Sequence, residues 1–201
     1  MKILNNLIHP YRTFEKIRWR IAKKKLSFCG GKCTVKWDFV ISHPENIRIG
    51  HNVHIGHHCE IHSFPSYNGE ETGFKPELVI EDNVVIADYS YISCINKVII
   101  GSGTLLGANT FITDNYHGST SDEERKIPPD LRKLYSKGPV IIGKNVWTGR
   151  NVCIMPGIKI GDGAIIGANA VVTKDVPSGG VYGGIPAHNL KSMKSLENNN
   201  L

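Results

Sequence analysis

From Ile142 onward an aliphatic or similar residue returns at every sixth position, at Ile142, Thr148, Ile154, Ile160, Ile166 and Val172. Gly143, Gly149, Gly161 and Gly167 follow four of these lead residues, and Val146, Val152, Ile158, Ala164, Ala170 and Val176 stand four places after them. The same pattern recurs upstream at Ile49-Gly50, Ile55-Gly56, Ile80, Ile86, Ile100-Gly101 and Leu106-Gly107. A period of six matches neither the 3.6-residue repeat of a helix nor the two-residue repeat of a strand. It suits a chain wound into coils of short strands joined by tight corners, with each lead residue inside. Stacked coils make a parallel β-helix, in which neighbouring repeats stabilise one another and the ends need caps. Glycine after the lead residue is expected at the corner because it tolerates positive φ.

Two stretches leave the pattern. Residues 63–76 and 113–138 carry Gly, Pro, Asn and charge instead of hexads and read as loops, the second long and protruding. A two-residue slip at Cys94–Lys97 predicts an enlarged corner, and residues 27–48 hold only degenerate repeats. The expected organisation is mainly β: a basic helical segment over 1–26, a β-helix over 27–186, and a C-terminal cap or tail over 187–201 with a short helix.

The 201 residues fit one domain, and 40% hydrophobic with 21% charged residues suits a soluble core. No run of eighteen apolar residues and no secretory leader pattern occurs, so the expected location is the cytoplasm. Five cysteines, an odd and scattered set without a CxxC pair, predict neither a disulfide framework nor a structural zinc site. The net charge of +6 is concentrated near the N-terminus, where Arg12, Lys16, Arg18, Arg20, Lys23, Lys24 and Lys25 accompany apolar residues at helical intervals. Two roles fit such a helix: capping the domain end, or peripheral docking on the anionic inner face of a membrane. Nothing in the pattern points to nucleic acid.

Pro139 to Ala187 reads PVIIGKNVWTGRNVCIMPGIKIGDGAIIGANAVVTKDVPSGGVYGGIPA. Trp147, Pro156-Gly157, Ala168, the run Val172 to Pro177 and Gly184-Ile185-Pro186-Ala187 make it resemble the hexapeptide-repeat acetyltransferases, in particular the maltose and galactoside branch. The resemblance implies a left-handed prism, a homotrimer, acetyl-CoA as cosubstrate without a metal, and a sugar-like acceptor. A coenzyme A site between subunits is carried over onto Trp147, Gly149, Arg150, Ala168, Thr173, Lys174 and Lys191. Small residues there admit the pantetheine arm, and the lysines suit phosphates as point charges.

The resemblance also implies a catalytic histidine on the loop before those coils, where Thr113-Asp114-Asn115-Tyr116-His117-Gly118 stands. His117 is the candidate base, since imidazole titrates near neutral pH. Asp114 is its candidate orienting partner, a task a backbone carbonyl could also perform. The Arg150 amide is the implied oxyanion donor. Thr148 departs from the repeat by placing a hydroxyl inside, which requires a local hydrogen bond. The basic N-terminus followed by hexads resembles O-acetyltransferases of bacterial surface-polysaccharide synthesis. Competing expectations are N-acetylation of an amino sugar, drug acetylation, a zinc protein using histidines of the cluster from His51 to His62, and a non-catalytic scaffold.

Overall fold

A computed structural model of the protein describes residues 11–36 and 38–190. Short strands of two to four residues form three sheets, of six, eight and six strands, parallel except for the last strand of the eight-stranded one; these sheets are the three sides of a prism. We call them faces A, B and C in the order in which the chain visits them. Face A opens at Phe28–Cys29, face B at Thr34–Val35 and face C at Val40–Ser42, so the degenerate residues 27–48 already complete a coil.

Lead residues stack in register from coil to coil, which is why the period is six. Ile49, Ile80, Ile100, Ile142 and Ile160 form one interior column on face A, none more than 2% exposed. Ile61, Ile92, Ile112, Ile154 and Val172 form another on face C. Each fully buried aliphatic side chain contributes roughly 1.5–3 kcal/mol, and like shapes stacked on like leave few gaps. Thr148 is also completely buried, and its hydroxyl accepts from the Gly107 amide at 3.0 Å and meets Thr110 Oγ1 at 3.3 Å. The local partner that a hydroxyl needs inside the prism is therefore present.

The corners correct one expectation. The glycine after the lead residue does not supply the positive φ; the residue two places later does, most often asparagine, at Asn52, Asn83, Asn109, Asn145, Asn151 and Asn169. Asparagine tolerates the left-handed region better than most residues. Glycine is required for space instead. A Cβ on Gly101 would stand 2.5 Å from the Gly143 backbone, because consecutive coils touch there. The asparagine side chains then bond along the axis, Asn109 to Asn151 and Asn151 to Asn169, each at 2.8 Å.

Both stretches expected to be loops are folded. Residues 63–76 contain a hairpin, Ser66–Tyr67 against Glu70–Glu71, closed by Asn68-Gly69, both at positive φ as a two-residue hairpin turn demands. Within 113–138, Tyr116–His117 pairs antiparallel with Leu134–Tyr135 around a short helix, Asp122–Arg125, and a 3₁₀ turn, Pro129–Leu131. The two excursions leave the same edge of the prism, where face C turns into face A, and so does the two-residue slip at Cys94–Lys97 between them.

One helix, α1 (Tyr11–Lys25), lies at the N-terminal end and caps it. Trp19 meets Phe39 edge-on at 6.0 Å, Arg18 donates to the Phe39 carbonyl at 3.1 Å, and Lys23 donates to the Gly30 carbonyl at 3.4 Å. At the other end, His188–Asn189 turns back antiparallel onto Val181–Gly183, so the start of the expected cap is a strand. The remainder of that segment, including the expected short helix and Lys191, lies outside the described residues, as do residues 1–10 of the basic segment. No described helix is long and apolar enough to cross a membrane.

Candidate active site

His117 is held by a β-ladder, opposite Leu134, and not by a free loop. The strand before it is anchored at its base, where the Asn115 amide donates to Thr113 Oγ1 at 3.1 Å and Asn115 Nδ2 donates to Ser93 Oγ at 2.9 Å. The histidine is exposed and borders an open cleft of about 610 Å³ on the outer side of face C. Phe64, Tyr67, Tyr91, Phe111 and Met155 line the cleft with it. Tyr91 and Phe111 stack in parallel at 5.5 Å, giving an aromatic wall. A concave site of aromatic side chains with a few polar groups is the usual form of a small-molecule pocket.

Asp114 does not orient His117. It is completely buried, and its carboxylate accepts the amides of Ile95 at 2.9 Å, Asn96 at 2.8 Å and Lys97 at 2.8 Å, with Asn115 Nδ2 at 3.1 Å. These amides belong to the enlarged corner at Cys94–Lys97, where the N–H groups of Ile95 and Asn96 meet no backbone carbonyl among the described residues. The carboxylate supplies the acceptors that regular coil geometry would have supplied. Proximity in sequence misled here because Asp114 is directed into the corner while His117 lies beyond it on the hairpin.

Tyr67 is the aromatic group that meets His117, with ring centroids 5.3 Å apart and planes at 74°. Its hydroxyl donates to Asp130 Oδ1 at 2.7 Å, and Asn68 Nδ2 donates to the Asp130 carbonyl at 2.6 Å, so the first hairpin grips the second excursion. That hydrogen bond to a carboxylate raises the Tyr67 phenol pKa. Neither residue was singled out from the sequence, although Asn68-Gly69 is a hairpin signal.

The residues carried over for coenzyme A fall on two different edges. Gly149, Arg150 and Ala168 lie where face B turns into face C, with Gly149 so close to the next coil that a Cβ would stand 2.5 Å from the Ala168 nitrogen. Trp147 projects from face B beside Leu105 and Ile165, 52% exposed. Thr173 and Lys174 lie on the edge from C to A, the edge that carries His117, both exposed. A single copy of the chain therefore does not bring the two groups together.

Among the described residues the Arg150 amide is open, as are those of Ala108 and Ala168 on the same edge, whereas four other corners are closed. The amides of His51, His57, Ser102 and Lys144 are each taken by a carboxylate of the adjoining coil, from Asp82, Asp88, Glu81 and Asp162. Ala168 stands where that carboxylate would be for Arg150, whose N–H has no acceptor among the described residues. An open, fixed N–H is what an oxyanion requires.

The histidines between His51 and His62 are divided among other tasks. His57 and His58 both approach Asp38, at 3.2 and 3.3 Å, His51 Nδ1 accepts the Gly31 amide at 3.0 Å, and His62 meets Ser42 and Glu60. Among the described residues no group of three or more His, Cys, Asp or Glu is placed to hold a metal ion.

Comparison with known proteins agrees with this architecture. Residues 139–174 match the bacterial transferase hexapeptide (six repeats) family. Over 118 residues the chain is 42% identical to an Escherichia coli (strain K12) protein assigned to lipopolysaccharide biosynthesis as an O-acetyl transferase, covering 57% of this chain and 60% of the relative's length. It is 34% identical over 163 residues to a chloramphenicol acetyltransferase of Morganella morganii, covering 63% of this chain and 78% of that one. A hexapeptide-repeat acetyltransferase of Vibrio cholerae O1 biovar eltor, solved with acetyl coenzyme A, has a TM-score of 0.55 and 25% identity, covering 89% of this chain and 77% of that one. The chain belongs to the hexapeptide-repeat acetyltransferases, whose parallel β-helix is wound left-handed.

Proposed function

We propose that the protein is an acetyl-CoA-dependent O-acetyltransferase, acting as a homotrimer on a hydroxyl of a sugar in a surface polysaccharide or its precursor. The observation that carries the reading is the division of the site. His117 and Lys174 occupy one edge, while Arg150, with its open amide, and Ala168 occupy another. A second copy packed alongside supplies the missing edge, which is the reason for the trimer. The acceptor class is supported by the Escherichia coli relative and by the aromatic wall of the cleft, which suits the C–H face of a pyranose.

In this reading acetyl-CoA lies in the groove between copies, with Thr173 and Lys174 toward its phosphates. The His117 imidazole takes the proton from the acceptor hydroxyl as its oxygen attacks the thioester carbonyl. The Arg150 N–H stabilises the tetrahedral oxyanion, which collapses with cleavage of the C–S bond, and the imidazolium gives its proton to the departing thiolate. Such a base contributes roughly 10²–10⁴ to turnover.

The test combines two measurements. A panel of methyl hexopyranosides and their amino-sugar counterparts is offered with acetyl-CoA, and the best acceptor is used to compare wild type with His117→Asn, which keeps polarity but cannot take the proton at neutral pH. A fall in kcat of roughly 10²–10⁴ at unchanged acetyl-CoA affinity is expected. Near-normal turnover would overturn the base assignment, transfer to amines alone would overturn the hydroxyl acceptor, and an active monomer in light scattering would overturn the shared site.

A further inference from the structure

A histidine on an exposed hairpin acts as a base only when its ring is fixed toward the acceptor. Asp114 cannot fix it, because that carboxylate is committed to the corner at residues 95–97. Among the described residues the His117 ring nitrogens make no hydrogen bond, and the contact that bears on the imidazole is the Tyr67 ring. Tyr67 arrives from a different coil, on a hairpin with a rigid two-residue turn.

The hold on Tyr67 closes a circuit. Its hydroxyl is tied to Asp130, which belongs to the same excursion as His117, and Asn68 ties the hairpin tip to the Asp130 carbonyl. Asp130 in turn sits in the 3₁₀ turn Pro129–Leu131, whose N-terminal proline fixes φ. The ring that faces His117 is thus located by two hydrogen bonds and two turns with restricted backbones. Tyr67 and Asp130 also border the cleft beside Tyr91 and Phe111, so the same clasp shapes the space an acceptor enters.

We propose that Tyr67, held by Asp130, is the positioning residue for His117, setting the imidazole toward the acceptor. The inference rests on the reading of His117 as the base. Tyr67 takes no proton; its ring forms part of the cleft wall, and its effect on turnover runs through the imidazole. An aromatic pair of this kind is worth about 0.5–1.5 kcal/mol, which corresponds to a roughly 2- to 13-fold effect.

The test is a set of coupled variants assayed with acetyl-CoA and the methyl hexopyranoside of highest turnover, each checked for unchanged assembly mass. Tyr67→Leu, which removes the ring, should lower kcat roughly tenfold while leaving the acetyl-CoA KM unchanged. Tyr67→Phe and Asp130→Ala each remove only the tether; each should lower kcat about threefold, and the double variant should be no worse than either alone. In a His117→Asn background none of these changes should lower the residual turnover further.

Three results would overturn the proposal: full kcat in Tyr67→Leu, a rise in acceptor KM with kcat unchanged, or the same tenfold loss of residual activity in the His117→Asn background. The last would mean that Tyr67 acts on the acceptor or the fold directly. Failure of the base reading is separately visible, as near-normal turnover of His117→Asn alone.

Discussion

Replacing Asp114 separates a structural carboxylate from a catalytic one. In Asp114→Ala the Ile95 amide, completely buried, is left without an acceptor, at a cost of about 1–3 kcal/mol. The Asn96 and Lys97 amides are half-buried, so water can replace the carboxylate and each loss is about 0.5–1.5 kcal/mol. The sum is about 2–6 kcal/mol, which for a chain of this size lowers Tm by roughly 5–20 °C. Asp114→Asn should fall between the variant and wild type, since one amide oxygen can still accept while its NH₂ faces other donors. Thermal unfolding at matched protein concentration reads the shift, because association contributes to apparent stability. Turnover measured well below the lowered midpoint should stay within about threefold of wild type, far from the 10²–10⁴ expected of the base. An unshifted midpoint together with a hundredfold loss of turnover would refute this assignment and return Asp114 to the active site.

Lys174→Ala should weaken acetyl-CoA binding by about 1–3 kcal/mol, roughly 5- to 150-fold, with an unchanged Tm; equal dissociation constants by calorimetry would place the phosphates elsewhere. Gly101→Ala drives a Cβ to 2.5 Å from the Gly143 backbone, which has no flexible side chain to yield, and should cost at least the 1–3 kcal/mol typical of overpacking, read as a loss of soluble protein or a lowered midpoint. Burial pushes the Cys59 thiol up from 9.0 to about 11. Its contribution to stability is complete below pH 9 and lost as pH rises through about 11, since the unfolded thiol ionises first. Cys59→Ala should therefore flatten the decline of Tm over that interval, and an equally steep decline would assign it to other groups.

The prism was legible in the sequence because interior positions are constrained at each side of each coil, and a constraint repeated so often survives exceptions such as Thr148. The hairpins were not legible as hexads because their antiparallel ladders are local and interrupt the period. Asn68-Gly69 was the one short-range signal for them, and its hairpin carries the Tyr67 that meets His117. The glycine positions were readable but their cause was not: contact between coils, which no single hexad displays, decides them. The resemblance put Arg150 and Lys174 in one site between subunits. The corner count places one on the edge from B to C and the other on the edge from C to A, which only the wound chain reveals.

A body that is periodic along its axis has no intrinsic reason to stop. Its terminal coil presents the same hydrogen-bonding pattern and the same side-chain columns that any coil presents to the next, so bare ends would invite polymerisation into fibres. Here α1 covers that growing face, and Arg18 and Lys23 occupy the Phe39 and Gly30 carbonyls of the first coil. The reversed strand His188–Asn189 interrupts parallel continuation at the opposite end. Within the described residues, each end of the coil stack therefore carries an element that departs from the repeat.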